Sequence, residues 1–267
     1  MARRRLDAEL VRRGLVATTT QAIAAVRDGL VLVSGRPADN PSTLVDPAEP
    51  VELASGSSAF VSRGGDKLEA ALERFGIEVP GRACLDAGAS TGGFTDCLLR
   101  RGAAHVVAVD VGYGQLAWSL RTDPRVTVLE RTNVRDLTPD ALPFAPEIVT
   151  ADLSFVSLRG VLPTLALIAA RRVEFVLLVK PQFEVRRDRV GPGGVVRDPG
   201  AWRDAVEGVA EVCTREGLSL LSAMASPVLG PAGNVEFLLH AAEGAGTVSF
   251  DPSGAIAEAE RRARVDA

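Results

Sequence analysis

The 267-residue sequence contains few cysteines and no long apolar run. Its three cysteines, Cys84, Cys97 and Cys213, show no CxxC spacing, which argues against a disulfide framework or a zinc site. The longest apolar runs, near 161–170 and 173–179, are much shorter than the ~20 residues of a membrane-spanning helix. No apolar segment follows the basic N-terminus as it would in a signal peptide. We therefore expect a cytoplasmic protein that needs neither a metal nor a membrane.

Lysine is nearly absent from the chain. Of the 30 basic residues only Lys67 and Lys180 are lysines, and all the others are arginines. Arginine keeps its proton in proteins, whereas burial and neighbouring charges can change the protonation of a lysine. The two lysines are therefore candidates for chemistry if the fold brings them to one site.

The net charge of −4 argues weakly against a nucleic-acid partner, but two segments are locally basic. The first 13 residues carry five arginines against Asp7 and Glu9, and a second basic run, 186–189, precedes a glycine-rich loop. A solvated surface explains either run equally well until a motif supports nucleic-acid binding. The arginines that we consider as RNA-binding candidates are Arg3, Arg4, Arg5, Arg12, Arg13, Arg63 and Arg186.

A glycine-rich turn follows a short apolar segment. Residues 84–94 read CLDAGASTGGF, which predicts a buried strand, a turn and a helix over about 92–101. Glycines let a ligand approach the backbone, and the N-terminus of a helix offers free N–H groups. The spacing Asp86-x-Gly88-x-x-x-Gly92 differs from the dinucleotide-binding fingerprint, and a carboxylate at Asp86 would favour a cationic ligand such as S-adenosylmethionine. An ordinary strand–turn–helix of an α/β fold is the alternative explanation.

From residue 83 onwards strand and helix patterns alternate, as in a doubly wound parallel sheet. Only a short loop separates the last two of seven predicted strands. This pattern fits the α/β class, with a Rossmann-like methyltransferase sheet that ends in an antiparallel hairpin. The predicted strands are 83–87, 104–110, 126–130, 147–152, 173–179, 219–226 and 235–240.

Polar residues follow three of these strands at their carboxyl ends, where open α/β sheets bind ligands. Asp110 is placed to accept ribose hydroxyls, Asn133 could reach an adenine edge, and Asp152 ends the fourth strand. Any one of them could be a helix cap or a turn residue, but three at matching strand ends favour a ligand site. The predicted cofactor-binding residues are Asp86, Gly88, Ser90, Thr91, Gly92, Phe94, Asp110, Asn133 and Asp152.

Residues 1–57 form a separate small unit by their pattern. Two stretches with helical apolar spacing, 6–14 and 20–28, precede two apolar strands at 30–35 and 51–53. We therefore expect an α+β domain that opens with arginines.

The sequence around Asp152 argues against two classes of methyl acceptor. Enzymes that methylate base amines carry Asn/Asp-Pro-Pro-Tyr/Phe at this strand end, whereas this chain has Asp-Leu-Ser-Phe. Transfer to carbon 5 of a pyrimidine requires a cysteine nucleophile, and no cysteine lies at a predicted strand end. A hydroxyl acceptor remains. Because a hydroxyl is a weak nucleophile at neutral pH, it requires a general base or a stabilising cation.

Lys180, at the carboxyl end of the fifth strand, is the candidate for that base or cation. Glu236 begins the last strand, where a glutamate among apolar residues is costly unless it is paired. Lys67 lies in the first turn of a predicted helix over 66–75, where a cation opposes the helix dipole and calls for a carboxylate. With Asp152, these residues make two opposite-charge pairs around one acceptor site.

The set Lys67, Asp152, Lys180 and Glu236 resembles the catalytic Lys-Asp-Lys-Glu tetrad of the FtsJ/RrmJ-type ribose 2′-O-methyltransferases. The N-terminal unit resembles an S4 RNA-binding domain. The combination is similar to the TlyA family of rRNA cytidine 2′-O-methyltransferases, whose members are also called haemolysins. The matching segments are SRGGDK at 62–67, LDAGASTGGF at 85–94, DVGYGQLAW at 110–118, ADLSF at 151–155, VKPQFE at 179–184 and GNVE at 233–236.

The resemblance implies S-adenosylmethionine as the donor and a ribosomal RNA 2′-hydroxyl, in the 30S subunit, the 50S subunit or both, as the acceptor. It also implies that Lys180 acts as the base or stabilises the alkoxide, that Asp152 and Lys67 hold Lys180, and that Glu236 orients the acceptor ribose. The chemistry alone leaves open which lysine loses a proton, because coupled pairs titrate as a unit.

The chain departs from the family pattern in two places. Thr18 and Thr19 stand where Ser-Arg usually opens the second helix, and Ser58-Ala59-Phe60-Val61 stands where an arginine and a tryptophan are expected. We therefore expect one phosphate contact fewer and a weaker coupling between RNA docking and donor binding.

The sequence thus predicts an S4-like domain at 1–57, a linker at 58–62 and an FtsJ-like methyltransferase domain at 63–267. Two other functions remain open. A non-catalytic RNA-binding or ribosome assembly factor is disfavoured by the intact tetrad and glycine turn. A membrane-active haemolysin is disfavoured because no segment is long or amphipathic enough to insert.

Overall fold

The computed structural model describes residues 3–16, 18–27, 29–38, 40–53, 60–244 and 250–265. Two of the five residues of the predicted linker, Ser58 and Ala59, lie outside these ranges. The predicted domain limits at 57 and 63 therefore stay predictions.

The N-terminal unit packs two helices on short antiparallel strands. One strand pair joins β1 to β4, and a three-stranded sheet has the order β3-β2-β5. Thr18 caps the second helix, since its Oγ1 accepts a hydrogen bond from the Gln21 N–H at 3.1 Å. Its elements are β1 (Arg4–Arg5), α1 (Leu6–Arg12), α2 (Thr19–Arg27), β2 (Val31–Val33), β3 (Arg36–Pro37), β4 (Leu44–Val45) and β5 (Val51–Leu53).

The remainder of the chain is built on a seven-stranded sheet with the order β11-β12-β10-β9-β6-β7-β8. Strand β12 runs antiparallel to both of its neighbours, and the other pairs are parallel, as the sequence predicts. The strands are β6 (Ala83–Ala87), β7 (His105–Asp110), β8 (Val126–Glu130), β9 (Ile148–Ala151), β10 (Glu174–Val179), β11 (Leu218–Ala225) and β12 (Phe237–Glu243). Glu236 precedes β12 instead of beginning it, and Asp152 likewise follows β9.

Helices cover both faces of this sheet, and each face has its own apolar core. Burial on both faces explains why the central strands read as continuous apolar segments. The helices are α3 (Gly64–Phe75), α4 (Gly93–Arg100), α5 (Trp118–Arg121), α6 (Leu162–Ile168), α7 (Pro181–Glu184), α8 (Pro199–Arg215) and α9 (Ser253–Val265). Short 3-10 helices are Val134–Asp136, Pro139–Ala141, Leu158–Gly160, Arg187–Arg189 and Pro192–Gly194.

The segment that leads into α3 is fastened to α4. The backbone N–H of Val61 donates to Asp96 Oδ2 at 2.9 Å, and the Arg100 guanidinium lies 5.2 Å from the centre of the Phe60 ring. A side chain at Gly65 would overlap Phe60, so this glycine allows the ring to pack on the start of α3. Phe60 therefore provides an aromatic contact at the position where the family pattern has tryptophan.

Candidate active site

The carboxyl ends of five parallel strands border a cavity of about 750 Å³. This volume lies within the range of small-molecule sites in proteins. Lys67 reaches the cavity from α3, Asp152 and Lys180 follow β9 and β10, and Glu236 precedes β12. The fold thus brings all four predicted catalytic residues to the same cavity.

The turn after β6 is shaped by left-handed backbone at Gly88 (φ +88°) and Ser90 (φ +48°). A Cβ atom at Gly88 would overlap the carbonyl oxygen of Asp152, so only glycine lets β6 and β9 end this close together. The Asp110 carboxylate accepts hydrogen bonds from the N–H groups of Ser90 at 2.9 Å and Gly112 at 2.6 Å. These bonds fix a carboxylate on the cavity wall.

Other predicted cofactor-binding residues line the same cavity, namely Ser90, Thr91, Phe94 and Asn133. The Asn133 side chain also accepts a hydrogen bond from the Arg135 N–H at 3.0 Å and so caps a 3-10 helix. The two explanations considered for Asn133, a cap and a ligand-facing residue, are therefore compatible.

Asp86 does not line the cavity, and the interpretation that it faces a cationic ligand is wrong. Its carboxylate is fully buried and accepts hydrogen bonds from Thr95 Oγ1 at 2.6 Å and Thr150 Oγ1 at 3.3 Å. Burial raises its pKa to about 7. Gly92 does not line the cavity either. It has φ +101°, and a side chain there would overlap Leu120. Asp86 and Gly92 therefore stabilise the turn from the side that faces away from the cavity.

Two lysine–carboxylate pairs lie in the cavity. Lys67 Nζ donates to Glu236 Oε2 at 2.6 Å, and both side chains are buried. Lys180 Nζ lies 2.6 Å from Asp152 Oδ1 and donates to Ser154 Oγ at 3.0 Å. The predicted pairing of opposite charges is confirmed, and the direct partner of Lys67 is Glu236.

The charges of the tetrad act on one another. Burial opposes the ionisation of Asp152, but the positive charges of Lys180 and Lys67 lower the pKa of this carboxyl below its usual value. Asp152 is therefore an anion at neutral pH, and it links the two pairs electrostatically.

Aromatic rings lie at the mouth of the cavity. Phe155 is 77% exposed, and its ring centre lies 5.3 Å from that of Phe183. Its φ of +64° is unusual for a bulky residue and indicates that the surrounding loop imposes this backbone conformation. The guanidinium of Arg27, from the N-terminal unit, lies 5.8 Å from the Phe155 ring centre.

Glu184 is a supporting residue that the sequence analysis did not single out. Its buried carboxylate accepts hydrogen bonds from Ser157 Oγ at 2.6 Å and the Leu158 N–H at 2.7 Å, and it pairs with Arg159 at 3.2 Å. These bonds join the end of α7 to the loop after β9. Since the partners are distant in sequence, no local pattern could have indicated the contact.

Gln182 was also missed. It lines the cavity, and its buried Oε1 has no hydrogen-bond partner within the described ranges. A buried acceptor normally finds a donor, so this atom is available to a polar ligand.

Intramolecular carboxylates hold three of the candidate RNA-binding arginines. Arg5 pairs with Asp7 at 2.5 Å, and Arg12 and Arg13 both pair with Glu9. These two arginines lower the pKa of Glu9 to about 2. Part of the positive charge of the N-terminal segment is therefore neutralised within the domain.

The other candidate arginines fall into two groups. Arg3 and Arg4 are exposed, and Arg186 is exposed with Asp188 at 3.4 Å. Arg63 instead lines the cavity next to the tetrad.

Within the described residues, no group of three or more His, Cys, Asp and Glu side chains is arranged to hold a metal ion. None of the helices in the same ranges combines the length and hydropathy required to cross a membrane.

Comparison with solved structures confirms the predicted fold class. A protein proposed to be a hemolysin from Streptococcus thermophilus is 37% identical and superimposes with a TM-score of 0.78, covering 100% of this chain and 98% of that one. A similar protein from Lactococcus lactis is 42% identical, with a TM-score of 0.71 over 76% of this chain and 98% of that one.

Comparison with known sequences identifies both units. Residues 4–51 match the S4 domain, and residues 60–243 match the FtsJ-like methyltransferase model. The 16S/23S rRNA (cytidine-2'-O)-methyltransferase TlyA of Mycobacterium tuberculosis is 56% identical over 241 residues, which cover 90% of each chain. The chain therefore belongs to the FtsJ-like methyltransferase family and carries an S4 domain ahead of its methyltransferase domain.

Proposed function

We propose that this protein transfers a methyl group from S-adenosylmethionine to the ribose 2′-hydroxyl of a cytidine in ribosomal RNA. The observation that carries the proposal is the pair of lysine–carboxylate contacts, each at 2.6 Å, in the same cavity as the Gly88 turn and Asp110.

The residues of the turn suit the donor. The fixed Asp110 carboxylate would accept the ribose hydroxyls, Asn133 would meet the adenine, and the backbone around Gly88 would accommodate the methionine portion. Gln182 offers a buried acceptor for the donor's ammonium group. When bound, S-adenosylmethionine supplies a methyl group activated by its sulfonium.

The tetrad suits a hydroxyl acceptor. The Lys180 ammonium can stabilise the negative charge that develops on the 2′-oxygen as its proton leaves, and Asp152 and Ser154 hold that side chain in place. Lys67 and Glu236 form the second pair beside it, with Glu236 as an acceptor for a ribose hydroxyl. A lysine that has released its own proton to solvent would take the proton of the 2′-hydroxyl, and which of the two lysines does so is a property of the coupled set.

The cysteines support a hydroxyl over a pyrimidine carbon as the acceptor. Cys84, Cys97 and Cys213 are buried, and none lines the cavity. Burial raises the pKa of the Cys84 and Cys213 thiols to about 12, so these side chains are poor nucleophiles.

The relatives and the S4 domain support ribosomal RNA as the substrate. The Mycobacterium tuberculosis relative is named for 16S and 23S rRNA, and a Campylobacter jejuni relative, 37% identical over 69% of this chain, is named for 23S rRNA. The substrate would then be the 30S subunit, the 50S subunit or both, in the cytoplasm.

The proposal is tested by incubating the protein with labelled S-adenosylmethionine and unmodified 30S or 50S subunits, followed by nucleoside analysis of the RNA. Label in 2′-O-methylcytidine is the expected result. Label in a base-methylated nucleoside would overturn the choice of acceptor. Donor binding without transfer to either particle would favour a non-catalytic RNA-binding factor, and leakage of liposomes at low protein concentration would favour the haemolysin named among the relatives.

A further inference from the structure

The C-terminal helix α9 packs against the edge strand β11. Its residues Ala255, Ile256 and Ala259 are buried in the apolar core that also contains residues of α8 and β11. Among the described residues β11 has a neighbouring strand on one side alone, so its outer side is left to α9. The helix lies beyond residues 60–243, which match the FtsJ-like methyltransferase model, so the family model assigns it no role.

Two polar side chains of α9 bind the backbone where β11 ends. The Ala225 N–H donates to Glu258 Oε2 at 3.4 Å, and the Arg262 guanidinium donates to the carbonyl oxygen of Ser226. Glu258 and Arg262 lie one helical turn apart and pair with each other at 2.8 Å. Because hydrogen bonds to charged groups are stronger than neutral ones, these contacts restrain the backbone at 225–226.

A further hydrogen bond links Ser226 to Glu236 of the tetrad. The Ser226 N–H donates to the carbonyl oxygen of Glu236 at 2.8 Å. This bond lies directly beyond the pair Ala225–Phe237, which ends the ladder between β11 and β12. It closes the base of the loop 226–236, whose middle part lines the catalytic cavity. The backbone of Glu236 is therefore held by the same residue that Arg262 holds.

The position of this backbone matters because the Glu236 carboxylate has to be placed accurately. Its Oε2 accepts from Lys67 Nζ at 2.6 Å, and the side chain is 1% exposed. In the proposed function the same carboxylate accepts a hydroxyl of the acceptor ribose. A shift of the Glu236 backbone would therefore disturb the contact with Lys67 and the placement of the ribose together.

We propose that Glu258 and Arg262 are positioning residues, which act through Ser226 to set where Glu236 lies relative to Lys67 and the acceptor ribose. The part that concerns the ribose rests on the proposed function, whereas the bonds from α9 to Glu236 do not depend on it. In this arrangement the C-terminal helix supports catalysis in addition to covering β11.

Neighbouring arginines of α9 provide a matched pair of variants. Arg262→Met removes the donor to Ser226 and should lower kcat for methyl transfer about tenfold, with donor affinity and KM for the subunits unchanged. Arg261→Met removes an exposed charge of the same helix and should behave like the wild type. Arg262→Lys can still donate to the Ser226 carbonyl, so it should recover most of the kcat.

A variant in the buried face of α9 separates positioning from a general loss of stability. Ile256→Val removes one methylene group from the core and leaves the contacts of Glu258 and Arg262 in place. It should lower the free energy of unfolding and keep the wild-type kcat at a temperature where the protein is folded. If kcat fell in Ile256→Val as it does in Arg262→Met, the effect would be one of stability and the inference would be overturned.

Hydrogen exchange of the Ser226 N–H measures the link to Glu236 without turnover. Relative to the amides of β10, which report global unfolding, this N–H should exchange about tenfold faster in Arg262→Met, and Arg261→Met should leave the ratio unchanged. Equal ratios or equal kcat values in the two arginine variants would overturn the inference. A wild-type protein that transfers no methyl group would contradict the proposed function, while the difference in exchange would still support the positioning of Glu236 by α9.

Discussion

At the scale of single residues, the site depends on charges that neutralise one another inside the protein. Lys67 and Glu236 are both buried, and each would be costly without the other. Asp152 stays ionised although it is partly buried, because Lys180 and Lys67 lie close to it. The low-dielectric surroundings that strengthen the attraction within these pairs also strengthen their electrostatic effect on a reacting oxygen.

Glu236→Gln should destabilise the fold as well as impair methyl transfer. The amide keeps the shape of the side chain but leaves the buried Lys67 ammonium without its carboxylate, at a cost of about 3 kcal/mol. The double variant Lys67→Met, Glu236→Gln should recover part of that stability and no activity. Urea unfolding and methyl-transfer rates separate the two effects, and equal stability of the single and double variants would contradict the account.

A second prediction at the residue scale concerns Asp86 and the pH dependence of the free energy of unfolding. In the folded state the pKa of Asp86 is about 7, above its ordinary value. Between about pH 4 and 7 the folded state therefore keeps a proton on this carboxyl that the unfolded state has released. This group therefore contributes stability at low pH that is lost as the pH rises through that window.

Asp86→Asn should remove this dependence while keeping hydrogen bonds to Thr95 and Thr150. The loss of unfolding free energy between pH 5 and 7.5 should be about 2 kcal/mol smaller in the variant than in the wild type. Thermal or urea unfolding at both pH values measures it. Parallel pH profiles for the two proteins would show that Asp86 ionises normally.

At the scale of elements, the loop after β9 requires support because its backbone is strained at Phe155. Ser154 holds Lys180, and Phe155 packs on Phe183 of α7. Glu184, at the end of α7, binds the following residues of the loop. The loop, α7 and Lys180 are thus positioned together.

Glu184→Ala should lower kcat about 10- to 100-fold, because a small displacement of the loop moves Lys180 away from the acceptor oxygen. Donor affinity should stay unchanged, since Glu184 does not line the cavity. Glu184→Gln should retain more activity than Glu184→Ala, because its amide oxygen can still accept from the Leu158 N–H and its amide N–H can donate to Ser157 Oγ. Glu211→Ala, on the exposed face of α8, serves as the control. If Glu184→Ala had the same kcat as Glu211→Ala, Glu184 would not position Lys180.

At the scale of the whole molecule, exposed and internally paired arginines of the S4 domain are expected to differ in their effect on RNA binding. Arg4 is exposed, whereas Arg12 pairs with the buried Glu9. Arg4→Gln should therefore reduce the salt slope of RNA binding by close to one without a change in stability. Arg12→Gln should instead lower stability, because Glu9 loses a partner. Filter binding at several salt concentrations measures the slope, and thermal unfolding measures the stability. An unchanged slope for Arg4→Gln or an unchanged stability for Arg12→Gln would contradict this prediction.

The sequence predicted those features that follow from periodicity and from strand ends. The seven strands, the Gly88 turn, Asp110, Asp152 and Lys180 are of this kind, because residues at the carboxyl ends of parallel strands must converge. Lys67, on α3, and Glu236, before the antiparallel β12, were indicated instead by the cost of an unpaired charge and by the resemblance to the tetrad. It did not predict β1 and β4, which are too short to show a period.

The sequence could not predict in which direction a strand-end side chain points, nor which residues far apart in the chain come into contact. A strand-end position alone could not show that Asp86 turns inward to Thr95 and Thr150, away from the cavity. The contacts of Glu184 and Arg27 join segments far apart in the chain. They depend on how helices and domains pack, which no local pattern encodes.

The central claim is that Lys180 acts on the acceptor oxygen in a cavity that binds S-adenosylmethionine independently. Its most direct test is Lys180→Met, which keeps most of the side-chain volume and removes the charge. Calorimetry would measure donor affinity, and tritium transfer to unmodified 30S and 50S subunits would measure activity. We predict wild-type donor affinity with transfer reduced at least about 100-fold. Transfer at the wild-type rate would contradict the assignment of Lys180, and loss of donor binding would show that the two sites are not separate.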